Sequence, residues 1–495
     1  MKVKLINLIF LVSVTLLAGL AAPCAAQTDP VRNPDQAQGT LPPEKWDANE
    51  PKPIDWDKTN RSALTDTSII VKKNFTRAAV EVVGLNALIW FYDRYIREGG
   101  TNPGFRIGFN SMSENLANGF EWDDNNFSTN QIDHPYHGSQ YFNAARGNGY
   151  TFWESVPFTF AGSYLWEFFF EVHHPSMNDW IATSVGGVTL GEMLHRLSMT
   201  VRDNTATGSS RNWREVGGML INPMGGLNRI LDGDWGRVYA NSPDRFPANY
   251  SSQMDIGFRT VADDQLWQTD TTRVYMKFDF EYGDMFFGDM DQPFDSFDMD
   301  LQLNFADVKL VGRVEVNGML AGTFLKETDP SSHILAGFLR YDYLNNSKVE
   351  FGAQSLGAGL MSRFETDSGL EIRTELHTNA IILGANKSDY RSTSGRTYDY
   401  GPGAGVDLAA RIGRNGWHYL HVGHTHSWIH TVNGNDADHF LGESFVRMEL
   451  PIRFNLGLGL EYRLINSRRN YHLEGLDDVN ERIPELRLAT TWLLN

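Results

Sequence analysis

A two-residue alternation of apolar and polar side chains constrains the fold of this chain more than any other feature. The alternation runs from Val274 to Tyr282 as Val-Tyr-Met-Lys-Phe-Asp-Phe-Glu-Tyr, and it returns from Phe297 to Phe305. Successive side chains of a β-strand point to opposite faces, so each stretch has one apolar wall and one polar wall. A strand that separates membrane hydrocarbon from a wet lumen needs this pattern. We therefore interpret the apolar wall as lipid-facing.

The N-terminus has the three parts of a secretory signal peptide, which we place at residues 1–26. Lys2 and Lys4 form a basic start, an apolar run follows, and Cys24-Ala25-Ala26 provides a cleavage site of small residues. The mature chain is therefore expected to be exported. Cys24 is the only cysteine, so cleavage leaves no thiol, no disulfide and no cysteine metal site.

The charge balance limits the partners of this chain. It has 43 Lys and Arg against 61 Asp and Glu, a formal net charge of −18. Nucleic acid is strongly anionic, so this balance argues against a nucleic-acid partner. If the apolar wall faces lipid as part of a membrane barrel, the expected partners are outer-membrane lipid and, during biogenesis, the barrel-assembly machinery.

Composition divides the mature chain into four parts. Residues 27–67 are rich in Pro, Asp and Asn and predict a disordered linker. Helical periodicity predicts a helical domain over 68–200. Residues 201–251 are rich in Gly, Asn, Asp and Pro and predict an irregular connection. The remainder, 252–495, predicts an outer-membrane β-barrel.

The C-terminal part contains about twelve candidate strands, separated by short turn-like segments. An even number of antiparallel strands suits a closed barrel. Alternation alone does not say which wall faces outward, because a soluble barrel shows the same pattern inverted. Many candidates exceed ten residues, which favours strands that cross a membrane. We therefore predict an all-β transmembrane barrel with an N-terminal α-helical unit, located in the outer membrane, the helices being periplasmic or lumen-associated.

Within the predicted helical domain, several uncommon motifs occur in order between residues 133 and 198. They are His134-Pro135-Tyr136-His137-Gly138-Ser139, Phe152-Trp153-Glu154-Ser155, Pro175-Ser176-Met177-Asn178-Asp179 and Gly191-Glu192. With these motifs the segment resembles a bacterial envelope family known as domain of unknown function 3943. The resemblance implies an exported protein of the Gram-negative envelope, often with a β-rich remainder, and it implies no established activity.

The same segment contains many polar and charged side chains in apolar helices. Buried carboxylates are unfavourable unless they are paired, and nearby arginines and histidines are suitable partners. The leading interpretation is a satisfied polar network that fixes the helices in register. Its predicted members are Asn143, Arg146, Glu171, Asp179, Glu192 and Arg196.

A second interpretation is general acid-base chemistry on an envelope lipid. His134 or His137 would act as the base, supported by Glu154 or Glu167. No nucleophile elbow or other hydrolase motif accompanies them. Enzymatic activity is therefore left open, and the leading function is a structural, channel-like or lipid-handling envelope component.

A third interpretation is a metal site. Glu171 with His174 and Glu192 with His195 both spell Glu-x-x-His, the motif that di-iron helical bundles use twice. The leading expectation is that the protein needs no cofactor, with a metal ion at these four residues as the alternative.

Overall fold

We describe the structure from a computed structural model of the chain. It describes residues 73–97, 101–241, 250–262, 269–288, 290–305, 309–328, 330–346, 348–392 and 395–494. The predicted signal peptide and the predicted linker lie outside the described residues.

Residues 73–241, the helical unit, contain eight α-helices among the described residues. Short π-helical segments, Thr129–Asp133 and Ala182–Gly186, lead directly into α3 and α6. None of the described helices combines the length and the apolar character needed to cross a membrane. The helices are α1 Phe75–Phe91, α2 Phe109–Asn118, α3 His134–Gly147, α4 Phe152–Phe169, α5 Met177–Ile181, α6 Gly187–Val201, α7 Gly208–Ile221 and α8 Pro223–Leu231.

The last two helices occupy the segment for which the sequence predicts an irregular connection, so that prediction is wrong for residues 208–231. Its glycines had indicated loop structure, but two of them lie where helices approach closely. A Cβ atom on Gly218 would collide with the side chain of Arg202, and one on Gly226 with Met219. Tertiary packing thus overrides the low helix propensity of glycine.

Twelve antiparallel strands form a closed barrel, which confirms the predicted fold. Each strand pairs with the next along the chain, and β12 pairs with β1 to close the sheet. The strands are β1 Tyr250–Ala262, β2 Thr269–Tyr282, β3 Phe297–Asn304, β4 Val311–Thr328, β5 Ser331–Asn345, β6 Glu350–Glu365, β7 Glu371–Lys387, β8 Tyr398–Arg414, β9 Trp417–His430, β10 Ala437–Arg453, β11 Leu456–Tyr471 and β12 Val479–Leu493.

Ion pairs that cross the barrel identify the inward wall. Arg313 on β4 contacts Glu443 on β10 at 2.6 Å, although these strands are six positions apart in the sheet. Arg411 on β8 similarly contacts Glu281 on β2. Such pairs between distant strands form only through the lumen. The inward wall is therefore the polar one, as a strand facing lipid on its other side requires.

The outward wall is apolar, and on one side of the barrel it is exposed. The side chains of Phe258 on β1, Leu450 on β10 and Leu488 on β12 are more than half exposed. Neighbouring outward positions on these strands and on β11 are also large and apolar. They include Ile256, Val446, Met448, Ile452, Leu458, Leu460, Tyr462 and Leu486.

The helical unit covers the outward wall on the opposite side. Phe278 on β2, Leu301 on β3 and Tyr341 on β5 are at most 2% exposed and share one apolar cluster with helical residues such as Phe142 and Leu190. The side chains of their chain neighbours Asp279, Gln302 and Arg340 point the other way, into the lumen. The helices thus pack against the outside of the barrel, so the lumen-associated alternative is wrong.

This packing corrects the interpretation of the opening alternation. The apolar wall does face outward, but its partner from Phe278 to Tyr282, and from Phe297 to Leu303, is the helical unit rather than lipid. Alternation reports that a wall is buried in an apolar environment, and it cannot distinguish acyl chains from a packed helix.

Candidate functional site

The most concentrated set of titratable groups in the helical unit surrounds the start of α3. His134 is the first residue of α3, Glu167 lies near the end of α4, and Asp179 lies in α5. Glu171 follows α4, and Asp123 lies between α2 and α3. We call these five residues the acid cluster.

Short polar contacts hold the acid cluster together. His134 Nε2 lies 3.3 Å from Asp179 Oδ2, and the other ring nitrogen, Nδ1, lies 3.3 Å from the hydroxyl of Thr183. The backbone N–H of Ser176 donates to Glu167 Oε2 at 2.8 Å. Asn178 Nδ2 donates to both Asp123 at 2.5 Å and Asp179 at 2.8 Å. The ring of His134 is therefore oriented from both sides.

The cluster has an unusual charge balance. Among the described residues, no lysine or arginine forms an ion pair with Glu167, Glu171 or Asp179. Burial raises the pKa of Glu167 and of Asp179 well above ordinary carboxyl values, and neighbouring carboxylates add to the rise. Burial also raises the pKa of Glu171 to about 7, although His134 opposes that shift. At neutral pH the cluster therefore holds protons that ordinary carboxylates release.

Three members of the cluster could bind a metal ion. His134, Glu167 and Asp179 each offer one ligand atom, and these atoms all lie within 4.8 Å of one another. One imidazole and two carboxylates suit a divalent transition metal. The hydroxyl of Thr183 occupies the place of the outer partner that commonly orients a ligating histidine.

The metal site that the sequence predicted is not formed. Glu192 lies between two arginines and accepts hydrogen bonds from Arg146 Nε at 2.8 Å and from Arg196 Nε at 2.9 Å. Glu171 accepts the indole N–H of Trp166 at 2.7 Å, and His174 is exposed beside Asn118. The sole group of three or more potential ligands within the described residues contains neither His174 nor His195. The two Glu-x-x-His motifs lie on separate segments, and their side chains contact different neighbours and not each other.

Two of the four predicted catalytic residues lie outside the acid cluster. His137 is enclosed between the rings of Tyr141 and Trp166, and its Nε2 lies 2.8 Å from the hydroxyl of Tyr141. Burial lowers the pKa of His137 to about 3, so this imidazole is neutral. Glu154 caps the start of α4 and contacts Lys73 at 2.6 Å on the surface. Only His134 and Glu167 are brought together.

The predicted polar network divides into two groups. Arg146, Glu192 and Arg196 form one buried ionic group, whereas Glu171 and Asp179 belong to the acid cluster. Asn143 lies apart from both and joins helices, since its Nδ2 donates to the carbonyls of Ser139 and Gly191. The contacts of Arg146 with Glu192 and of Asn143 with Gly191 thus join α3 to α6.

The residues that connect the acid cluster with the barrel carry no signal in the sequence. Asn130 donates from one Nδ2 to Asp123 at 2.9 Å and to the hydroxyls of Tyr398 at 2.9 Å and Tyr400 at 2.7 Å on β8. Asp123 and Asn130 lie in a polar, Asn-rich stretch that carries no periodic signal. The two tyrosines alternate as ordinary strand residues do, so their role depends on the packing of two distant parts of the chain.

Part of the helical unit matches a known protein family. Residues 119–224 match the family described as Domain of unknown function (DUF3943). The family resemblance predicted from the sequence is confirmed, and the matched segment extends beyond 133–198 on both sides. All five members of the acid cluster lie inside the DUF3943 segment, while α1 and the barrel lie outside it.

Comparisons with whole proteins add less than the DUF3943 match. No curated protein matches the chain. Among solved structures, the NanC porin is 9% identical, with 48% of this chain and 98% of that chain covered and a TM-score of 0.27. The outer membrane channel DcaP of Acinetobacter baumannii is 8% identical, with 50% and 96% covered and a TM-score of 0.22. The CymD monoaromatic hydrocarbon channel is 8% identical, with 49% and 88% covered and a TM-score of 0.22.

The charge balance of the acid cluster predicts a pH dependence of stability. A carboxyl whose pKa is raised in the folded state favours folding fully below its unfolded pKa, near 4.5, and this contribution is lost as the pH rises. For Glu171 the window extends to about pH 7. We expect the stability of the helical unit to fall through this window, and Glu171→Gln to reduce the slope by up to about 1.4 kcal/mol per pH unit.

Urea titrations of the reconstituted protein at several pH values, followed by helical circular dichroism, measure this slope. Glu114→Gln is the matched control, because Glu114 is an exposed glutamate on α2. An unchanged slope in Glu171→Gln would show that the carboxyl does not retain its proton in the folded protein.

Proposed function

We propose that this protein is an outer-membrane component whose barrel is a sealed anchor for the helical unit, and not an open pore. The observation that supports this most directly is the position of the helices on the outward wall. That position supports the role of anchor, and the side chains that fill the lumen support the absence of an open pore.

The lumen contains two kinds of obstruction. In its middle, charged side chains pair across the barrel, and Arg447 on β10 contacts Asp255 on β1 at 2.5 Å. Near the end of the barrel formed by the β5–β6 and β9–β10 turns, inward apolar side chains from seven strands meet in one buried cluster. The cluster comprises Leu344, Val349, Phe351, Ala353, Ile381, Ile429, Leu441, Ile465 and Ile483. We call it the apolar seal.

The other end of the lumen is a dead-end chamber. A cavity of about 500 Å³ lies at the end of the barrel where β1 begins and β12 ends, and Gly416 and Leu493 line it there. Its walls are mostly charged. The β2–β3 loop narrows the same end, because Phe286 packs against Met319 and Asp284 contacts Arg373 at 2.6 Å. A polar chamber blocked by an apolar layer does not suit conduction of ions or polar solutes, since both must cross the dry layer.

Conductance of the reconstituted protein in planar bilayers tests the sealed anchor. We expect no ion steps from the wild-type protein, and steps from a variant in which Leu441, Ile465 and Ile483 are all alanine, because truncation of the apolar seal admits water. The control has alanine at the outward positions Met448, Leu460 and Leu488 of the same three strands.

Heat-modifiable gel migration establishes that each variant contains a folded barrel. Steady ohmic steps from the wild-type protein would overturn the proposal that the barrel is closed. Silence of the truncated variant would show that the apolar side chains are not the seal.

A second candidate function is hydrolysis or modification of an envelope lipid, and the donor set His134, Glu167 and Asp179 favours it. An imidazole oriented by a carboxylate can act as a general base, and the same set can hold a metal ion that activates water. Single substitutions of the three residues distinguish the candidates. Variants that assemble normally yet lose a lipid modification seen with the wild-type protein would support the enzyme, and metal analysis of the purified protein would identify the ion.

A further inference from the structure

We propose that the outer surface of the helical unit contacts the acyl chains of the membrane, so that the unit lies beside the barrel within the bilayer. This inference rests on the proposed function, because it takes the barrel to be membrane-inserted. It names the partner of a large apolar surface that the barrel leaves uncovered.

The outward wall of the barrel is apolar and exposed on both flanks of the helical unit, and we call this exposed wall the apolar belt. Leu339 on β5 is buried under the helical unit, and its direct cross-strand neighbour on β6, Leu356, is 47% exposed. On the other flank, Ile256 on β1 is 42% exposed and pairs with Met276 on β2, which packs against the helical contact. The helices therefore occupy the same level of the wall that is exposed on both sides of them.

The outward face of α1 is apolar and exposed. Phe75, Val80, Val83, Leu88 and Phe91 are all about half exposed or more. A helix at the surface of a soluble protein normally turns charged residues to solvent, and one that is apolar around its circumference is buried or in lipid.

The charged residues of α1 do not change this character. The helix contains only two, Arg77 and Glu81, and both are partly buried. Arg77 is 3.6 Å from Glu81 and also contacts Asp232 beyond α8. The charges of α1 are thus directed toward its own neighbours, and its outward face carries none.

Large apolar side chains are also exposed on three other helices of the unit. Trp153 on α4, Phe109 on α2 and Trp213 on α7 are 59%, 92% and 70% exposed. A soluble domain rarely exposes so many large apolar side chains on one unit. Aromatic residues are typical of the boundary between hydrocarbon and head groups, where an apolar ring meets water at one edge.

Acyl chains fit this surface better than a protein partner does. The exposed apolar side chains are spread over α1, α2, α4 and α7 rather than collected in one groove, and a fluid solvent can cover such a spread. The belt on β10, β11, β12 and β1 has the same character and continues into it, so one solvent explains both. Attachment to a membrane-inserted barrel also keeps the apolar surface of the unit in contact with the bilayer.

Fluorophores at single cysteines test this contact in the full-length protein. Cys24 is the only natural cysteine and belongs to the predicted signal peptide, so the introduced thiol is alone in the mature chain. Cysteines at Val83 and Leu88 on α1 report on the helical unit, and a cysteine at Leu458 on β11 reports on the barrel belt. A cysteine at Asn415, in the exposed β8–β9 turn, is the aqueous control.

The protein is reconstituted in phosphatidylcholine vesicles that contain nitroxide-labelled acyl chains, and iodide serves as the aqueous quencher. We expect nitroxide to reduce fluorescence about twofold at Val83, Leu88 and Leu458, with little effect at Asn415. Iodide should act mainly at Asn415.

Each other outcome overturns a specific statement. Nitroxide quenching at Leu458 with iodide quenching at Val83 and Leu88 would place the helices in water and overturn the lipid contact, while the barrel anchor stands. Protection of the α1 positions from both quenchers would mean that protein covers them, which also overturns the lipid contact. Absence of nitroxide quenching at Leu458 would overturn the membrane barrel itself.

Discussion

Gly187→Ala is expected to destabilise the helical unit strongly while leaving the barrel intact. In the wild-type protein α3 and α6 touch backbone to backbone, and a Cβ on Gly187 would lie 2.6 Å from the Cα of Gly138 and 3.0 Å from the N of Ser139. A flexible side chain can move aside, but a helix backbone held by its own hydrogen bonds cannot. The helices must separate, and we expect a loss of about 3 kcal/mol from the stability of the unit.

The reciprocal substitution should act in the same direction. A Cβ on Gly138 would collide with the carbonyl of Thr183, in the π-helical segment that leads into α6. Thr183 also contacts His134, so separation of these segments would disturb the acid cluster. Limited proteolysis and urea titration of the reconstituted protein measure the loss, and heat-modifiable migration should be unchanged because the pairing of the strands is not altered.

Gly84→Ala provides a matched control on the same unit. Gly84 lies within α1, and no atom would lie within 4 Å of an added Cβ. Alanine restricts the unfolded chain and favours a helix interior, so we expect a gain of about 0.5–1 kcal/mol. If Gly187→Ala and Gly84→Ala had the same effect, the close approach of α3 and α6 would not contribute to stability.

Much of the fold follows from the sequence because each element has a local signal. Strand alternation, strand length and an even strand count predict a closed barrel, since they reflect constraints that act within a strand and its neighbours. The partner of a strand's apolar face has no such signal. Phe278 and Phe258 both belong to alternating strands, yet the first contacts helices and the second is exposed.

The candidate site was only partly predictable for the same reason. Its residue types were evident, and the pairing of Glu192 with arginines follows from the rule that buried charges need counter-charges. The meeting of His134, Glu167 and Asp179 depends on how three separate helical segments pack. That packing is fixed by contacts such as Gly138 with Gly187, whose importance appears only when two helices are placed together.

The removal of Glu192 should be the most damaging single charge deletion in the helical unit. The carboxylate is fully buried and receives Arg146 through two hydrogen bonds, at 2.8 and 3.0 Å, and Arg196 at 2.9 Å. Glu192→Ala leaves the two guanidinium groups without this shared counter-charge. Loss of one partner of a buried ionic group typically costs about 3–5 kcal/mol, and we expect a loss in this range.

This deletion should also loosen the contact between the helices and the barrel. Arg196 extends from Glu192 to the β2–β3 loop, where it lies 3.3 Å from Asp295 and donates to the carbonyl of Pro293 at 2.8 Å. Glu192 therefore orients a side chain that binds both parts of the molecule. We expect faster hydrogen exchange in α6 and in the β2–β3 loop together, because the same guanidinium connects them.

Glu154→Gln is the control for charge loss alone. Glu154 contacts Lys73 at the surface, where both side chains are more than 40% exposed. Exposed pairs of this kind contribute about 0–1 kcal/mol, so the substitution should change urea stability little. A loss below about 1 kcal/mol in Glu192→Ala, or faster exchange confined to α6, would contradict a network that holds the helical unit against the barrel wall.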